Sequence, residues 1–91
     1  MAKVEVMNLA GGSKLWRFHC PGCKYDHSFD SRWSFNGDFE KPTFAPSLLV
    51  NGFDPKIRCH SFVCDGKIQF LSDCFHELAG QTVELPDYEE V

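Results

Sequence analysis

Five cysteines and four histidines in a chain of 91 residues are the feature that most constrains this fold. A chain of this length buries only about 60% of the surface that its unfolded form exposes, so a metal or disulfides commonly stabilise it. Cys20 and Cys23 form a Cys-Pro-Gly-Cys sequence, and this spacing lets two thiols in a tight turn bind one zinc ion. An odd number of cysteines and no secretory signal sequence disfavour a disulfide framework.

The rest of the zinc site must come from cysteines and histidines farther along the chain. Cys59 and Cys74 are favoured, because the hairpin predicted below places them on the same side. The predicted ligand set is therefore Cys20, Cys23, Cys59 and Cys74, with His60, His76 and His27 as alternates. Cys64 lies beside a turn and is interpreted as an incidental thiol. Plain core cysteines and a redox-active Cys-x-x-Cys pair are the competing interpretations.

The clearest local structure is a hairpin over residues 57–72. Asp65-Gly66 is a two-residue turn signal between two runs that are rich in strand-forming residues. Alternation predicts one largely apolar face that points to the core, made of Ile57, Cys59, Ser61, Val63, Ile68 and Phe70. The opposite face then carries His60, Phe62 and Cys64.

The remaining signals predict short strands and turns. Strands are expected over residues 15–19, 47–50 and 82–85, with a hairpin turn at Asn36-Gly37. Asp73 can cap a short helix over residues 74–79. The predicted fold class is therefore mainly β, a small antiparallel zinc-stapled domain with one short helix near the C-terminus. It is expected to be a single domain over residues 1–91, with a flexible or edge segment over 1–13 and an acidic tail over 86–91.

The charge distribution argues against nucleic acid as a partner. The net charge is −4, and residues 84–91 alone hold four acidic residues and no base. The remaining residues carry nine acidic and nine basic side chains, so they lack the basic field that supplies most nucleic-acid affinity. No apolar run approaches the roughly 18 residues that a membrane span needs. A cytoplasmic protein is therefore expected.

Sequence motifs give little support for catalysis. The chain has no His-Glu-x-x-His, no glycine-rich phosphate loop and no Gly-x-Ser-x-Gly. Ser61 and Ser72 have no obvious base, and Cys59 and His60 point to opposite faces of a strand. No catalytic residue is predicted.

The aromatic residues are too numerous for the core of so small a domain. Some are therefore expected on the surface, where aromatic patches mark protein partners. The predicted partner surface consists of Phe62, Phe35 and Phe39, whereas Trp33 is expected in the core.

Several runs of the sequence resemble a family of small phage and prophage proteins that has no established function and is sometimes labelled ammonia monooxygenase. The similar runs are Trp33-Ser34-Phe35-Asn36-Gly37, Pro42–Ser47, Arg58–Val63, Phe70–Cys74 and Leu78–Val83. The resemblance implies a phage-encoded product in the cytoplasm of an infected bacterium, and it implies no activity. It also implies that Cys20-Pro-Gly-Cys23, Cys59-His60 and Cys74-x-His76 recur, whereas the position of Cys64 is usually basic.

The sequence therefore predicts a zinc-binding protein with a structural metal that acts by binding a host or phage protein. A small zinc-dependent hydrolase is the first alternative. A nucleic-acid-binding zinc module is a weaker one.

Overall fold

Two antiparallel sheets form the structure, a computed structural model that describes residues 2–88. The first sheet has the order β1-β2-β3, and its strands are Glu5–Asn8, Lys14–His19 and Asp26–Phe29. The second has the order β4-β5-β6-β7-β8, and its strands are Ser34–Phe35, Phe44–Val50, Cys59–Cys64, Lys67–Phe70 and Thr82–Glu84. Apart from a short 3-10 turn over Ala10–Gly12, there is almost no helix among the described residues. The prediction of a mainly β, antiparallel fold is confirmed.

The hairpin of β6 and β7 has the predicted register. Cys64 pairs with Lys67 and Phe62 with Gln69, and both turn residues, Asp65 and Gly66, have positive φ. The inward face is buried as expected at Cys59, Ser61, Val63, Ile68 and Phe70. Ile57 does not join this face. It lies in a turn before β6 begins, so the alternation of the strand does not reach it, and it is 40% exposed.

Strand β5 is longer than expected and contains a bulge. Phe44 lies opposite Val63, but Leu48 lies opposite Ser61, so β5 contains two more residues than β6 over this stretch. Pro46 lies within the bulge, where the lost backbone donor breaks no regular ladder. The bulge shifts the outward-facing residues of β5 along the neighbouring strand.

Asn36-Gly37 does not form a two-residue hairpin turn. It begins a longer loop that joins β4 to β5. The Asn36 side chain organises this loop, because its Oδ1 accepts from the backbone N–H of Asp38 and Thr43 and its Nδ2 donates to the carbonyl of Lys41. Side-chain bonding of asparagine to nearby backbone is a common alternative to a tight turn.

The short helix expected over residues 74–79 is replaced by consecutive turns. The Ala79 N–H bonds the His76 carbonyl, and the Gln81 N–H bonds the Leu78 carbonyl. Gly80 donates to the Phe70 carbonyl, which ties the end of the segment to β7. These bonds to the sheet hold the backbone in turns, so the local capping signal does not decide its conformation.

The core lies where the two sheets pack together, and aromatic rings fill it. Phe29 stacks on Phe44 with ring centroids 4.0 Å apart, and Phe18 stacks on Phe29 at 5.5 Å. Trp33 packs against this core as predicted and is half-buried. Its indole N–H donates to the carbonyl of Ser47 at 3.3 Å.

The ends of the described chain lie close together. β1 is an edge strand of the first sheet. Lys3 Nζ donates to the Leu85 carbonyl, and the Tyr88 hydroxyl donates to the Asp26 carboxylate at 2.6 Å. The predicted acidic tail therefore begins with residues that contact the body, while Glu89 and Glu90 lie outside the described residues. Across residues 2–88, helices of the length and hydropathy that a membrane crossing requires are absent.

Candidate metal centre and catalytic triad

Four side chains converge between the two sheets and form a candidate metal site. Cys20 and Cys23 come from the turn between β2 and β3, Cys59 begins β6, and His76 lies in the turns after β7. Their ligand atoms all lie within 4.8 Å of one another. The group joins the first sheet, the second sheet and the C-terminal turns, so one bound ion would connect all three.

The distances within this group fit tetrahedral zinc. Cys20 Sγ lies 4.0 Å from Cys59 Sγ, and Cys59 Sγ lies 3.6 Å from His76 Nε2. Zn–S bonds of about 2.3 Å and Zn–N bonds of about 2.0 Å at tetrahedral angles place the ligand atoms roughly 3.5–3.8 Å apart. The four side chains therefore need only small movements to bind one ion.

The electrostatics of the group also favour a cation. The Cys59 thiol beside Cys20 lowers the pKa of the Cys20 thiol to about 3, and the nearby His27 contributes in the same direction. The Cys23 N–H donates to Cys20 Sγ at 3.4 Å and stabilises the thiolate further. Burial raises the pKa of Cys23 to about 11, and the Cys20 thiolate raises the pKa of Cys59. These shifts favour ionisation of Cys20 over that of Cys23 and Cys59, and a bound cation would favour ionisation of all three thiols.

Gly22 allows the histidine ring to approach the Cys-Pro-Gly-Cys turn. A Cβ atom built at Gly22 would lie 2.3 Å from His76 Cε1 and Nε2, which no side chain permits. Because the imidazole occupies this space, glycine is required here if His76 is a ligand.

Cys74, His60 and His27 are not members of this four-residue group. Cys74 Sγ donates to the His60 carbonyl at 3.1 Å and accepts from the His60 N–H at 3.2 Å, so it holds the backbone of β6. His60 points to the opposite face of the sheet from Cys59. His27 is buried beside Cys20, and its Nε2 has no hydrogen-bond partner. Cys64 is exposed.

Metal content distinguishes Cys74, the ligand predicted from the sequence, from His76, the candidate ligand in the structure. We expect His76→Ala to lower the bound zinc per chain severalfold and Cys74→Ser to leave it unchanged, because a hydroxyl can keep both bonds to His60. The measurement is elemental analysis of the purified variants with protein concentration determined independently. Zinc loss in Cys74→Ser with full retention in His76→Ala would restore Cys74 to the ligand set.

A second polar constellation lies on the opposite face of the second sheet. Ser47 Oγ lies 3.1 Å from His60 Nε2, and His60 Nδ1 lies 3.4 Å from Asp73 Oδ2. With Nδ1–H donating to the carboxylate, Nε2 is free to accept the serine proton. This is the arrangement of a Ser-His-Asp catalytic triad, which is recognised by geometry rather than by chain order.

Strand alternation in β5 places Ser47 on the same face as His60. Leu48 is buried, so alternation turns Ser47 and Leu49 to the outer face, where His60 also lies. The two extra residues of the bulge place Leu49 directly opposite His60, and Ser47 lies diagonally beside it, within hydrogen-bond distance. Bulges often redirect side chains next to active sites.

The metal group and the triad share their supporting backbone. Cys59 precedes His60 in β6, and Asp73 and His76 belong to one segment that is joined to β6 by the bond from the Phe75 N–H to the Arg58 carbonyl. A metal bound by Cys59 and His76 would therefore fix both elements that carry the His60–Asp73 pair. Cys74 adds a third constraint, because its thiol bonds both backbone groups of His60.

Sequence reasoning missed Ser47 and did not assign Asp73 a catalytic role. The serines that the sequence analysis weighed were Ser61, the neighbour of His60, and Ser72, which the predicted hairpin placed opposite Cys59. Ser61 is buried on the inner face, and Ser72 makes no contact with an imidazole that the structure records. The Pro46-Ser47 step, a proline inside a strand-like run, was the available signal, because proline there marks a bulge.

The predicted partner residues do not share one surface. Phe35 pairs with Phe44, which pairs with Val63, so Phe35 faces the core, where it stacks on Phe44 at 4.6 Å. Phe39 packs edge-on against Phe35. Phe62 lies on the outer face and is 41% exposed. Phe62 and Val63 are neighbours on β6 and therefore face opposite sides of the sheet, which separates Phe62 from Phe35. The role of these residues in binding a partner stays a prediction.

Comparison with known proteins identifies the family to which this chain belongs. Residues 2–71 match a family model described as the bacterial ubiquitination-like system serine protease, BubE. This chain belongs to the BubE family. The matched range includes Ser47, His60 and three of the four candidate metal ligands, whereas Asp73 and His76 follow it. No curated protein and no solved structure matched the chain. The BubE match does not bear on the phage origin that the resemblance implied.

Proposed function

We propose that this protein is a serine protease of a bacterial ubiquitination-like system. The observation that carries the proposal is the hydrogen-bonded series Ser47–His60–Asp73. The description of the BubE family as a serine protease supports it independently, because the family match rests on sequence and the triad on geometry. The protein partner expected from the sequence is then a protein substrate.

The triad supplies the chemistry of acyl transfer. His60 Nε2 takes the proton of Ser47 as Oγ attacks the scissile carbonyl, and it then gives that proton to the leaving amine. The resulting acyl-serine is hydrolysed by a water that His60 deprotonates. Asp73 holds the imidazole in the correct tautomer and stabilises its charged form. Its side chain is 40% exposed, so a substrate that covers this face would strengthen the bond to His60 by excluding water.

We assign the Cys20, Cys23, Cys59 and His76 group to a structural zinc ion. Four protein ligands complete a tetrahedral shell and leave no position for a reactive water, which favours a structural over a catalytic metal. The metal would supply folding energy and hold the segments of the triad, and hydrolysis would proceed through Ser47. The zinc-dependent hydrolase considered from the sequence is therefore replaced by a zinc-stabilised serine hydrolase. A phage-encoded origin and a bacterial cytoplasmic location remain proposals.

Hydrolysis of two substrates of different size tests this function. We expect the wild-type protein to hydrolyse p-nitrophenyl acetate and to remove a C-terminal extension fused to a bacterial ubiquitin-like protein. Ser47→Ala should do neither, because the nucleophile is lost. Ser72→Ala is the matched control, since it removes a nearby exposed serine and should retain both activities. Equal rates for Ser47→Ala and the wild type would contradict the proposal.

A further inference from the structure

We propose that the cavity between the free edges of β3 and β5 binds the substrate as an extended polypeptide that pairs with the backbone of Leu49. This inference rests on the proposed function and adds the place and mode of substrate binding. The cavity has a volume of about 440 Å³, which lies within the range of ligand sites, about 300–1,000 Å³.

Both strands that border the cavity have an open edge there. β3 is the outer strand of the first sheet. In the second sheet, β4 pairs with β5 only at Phe44 and Ala45, so the stretch of β5 after the bulge has no strand on the side away from β6. Open edges present unpaired backbone donors and acceptors, to which an extended peptide can add as a further strand.

The hydrogen bonds of His60 show where the backbone of Leu49 points. The His60 N–H donates to Cys74 Sγ and its carbonyl accepts from the Leu71 N–H, so both groups face away from β5. Leu49 is the residue opposite His60. In an antiparallel ladder, both members of such a pair turn their backbone groups outward. Leu49 therefore directs one donor and one acceptor into the open edge.

The cavity runs along the stretch of chain that follows Ser47, from Leu48 to Asn51, and Ser47 itself does not line it. At one end, Asn51 Nδ2 donates to the Tyr25 hydroxyl at 3.3 Å and joins the two walls. Towards the other end, Trp33 lines the cavity and its indole donates to the carbonyl of Ser47. A chain that pairs with Leu49 would lie two residues from Ser47 along β5, close enough to present a following peptide bond to Oγ.

The walls favour a substrate segment with apolar or small side chains. Leu15, Trp33 and Val50 contribute apolar surface. The two carboxylates that line the cavity already have partners, because Asp26 accepts from the Tyr88 hydroxyl and Asp30 pairs with Arg32. Recognition would therefore depend mainly on extended backbone shape and apolar contacts, with little selection by charge.

Two variants test whether this cavity, the proposed binding groove, binds the substrate. Each is assayed with the ubiquitin-like fusion and with p-nitrophenyl acetate. Ser28 is an exposed residue of β3 that lines the cavity, so Ser28→Trp should obstruct it and raise KM for the ubiquitin-like fusion at least tenfold. Hydrolysis of p-nitrophenyl acetate should stay within twofold, because a small ester needs no groove. Gln69→Trp is the matched control, since it places the same ring on an exposed position of β7 outside the cavity.

Leu49→Pro is the second variant and removes the proposed backbone donor itself. Proline is tolerated where the N–H faces an open edge, so the pairing of β5 with β6 should survive. KM for the fusion should rise as in Ser28→Trp, and Leu49→Ala should show a smaller change. If Ser28→Trp or Leu49→Pro folds and its KM for the fusion is unchanged, the proposal that this cavity binds the substrate is wrong.

Binding can also be measured without catalysis. Ser47→Ala protein titrated with the uncleaved fusion should show its largest amide chemical-shift changes in β3 and at Leu49. Chemical-shift changes confined to other surfaces, or no changes, would contradict substrate binding in the groove. Failure of the proposed function has a different signature, in which wild-type protein and Ser47→Ala hydrolyse p-nitrophenyl acetate at the same rate.

Discussion

His60→Ala should lower kcat for the fusion substrate by about 10⁴-fold or more, with bound zinc and the melting temperature nearly unchanged. The imidazole is the base that activates Ser47, and its ring lies on the outer face, away from the four candidate metal ligands. Removal of one triad member abolishes most of the contribution of the whole triad, so adding Ser47→Ala to His60→Ala should cost little more. The measurement is steady-state kinetics of both single variants and the double variant.

Asp73→Asn is the comparison variant for this prediction, because it should cause a smaller loss of kcat than His60→Ala. Loss of the carboxylate leaves Ser47 and His60 in place but removes the group that orients the imidazole, so kcat should fall by a smaller factor than in His60→Ala. Independent, multiplicative losses in the Ser47→Ala/His60→Ala double variant would mean that the two residues do not act as one unit. The hydrogen-bonded series would then be a structural feature only.

Cys59→Ser, or removal of metal by a strong chelator, should unfold the protein. Structural zinc contributes about 10–16 kcal/mol in small zinc-finger peptides, comparable with the whole stability of a domain, about 5–15 kcal/mol. Here the ligands connect both sheets and the turns after β7, so no sheet is independent of the metal. Circular dichroism and thermal melting, followed by readdition of zinc, are the measurements.

Cys64→Ser is the matched control for the metal prediction. Cys64 lies on the same strand as Cys59 but is exposed and outside the ligand group, so its loss should change stability by no more than about 0.5 kcal/mol. A Cys59→Ser protein that melts within a few degrees of the wild type and keeps its spectrum would contradict a structural metal.

Local sequence signals predicted the parts of the fold that depend on local geometry. Asp65-Gly66 was sufficient for the register of β6 and β7, because both turn positions require positive φ. The Cys-Pro-Gly-Cys sequence correctly located the turn that brings Cys20 and Cys23 together. In each case the information lies within a few neighbouring residues.

The candidate catalytic triad could not be predicted in the same way, because it depends on long-range strand pairing and on the conformation of the segment after β7. Ser47 and His60 come together only through the pairing of β5 with β6, and no local signal in either strand gives that pairing or the bulge within it. The fourth candidate metal ligand depends on similar information. The segment after β7 follows bonds to β6 and β7 rather than its helical capping signal, and this places Asp73 beside His60 and His76 beside Cys59.

Covalent labelling of the nucleophile tests the central claim most directly. A fluorophosphonate reacts with a serine that a neighbouring histidine activates, and intact-mass measurement followed by peptide mapping locates the adduct. We predict a single adduct on Ser47 in the zinc-loaded wild-type protein and none in His60→Ala. A zinc-loaded, folded protein that takes up no label, or that is labelled on another serine, would contradict the assignment of Ser47, His60 and Asp73 as the catalytic triad.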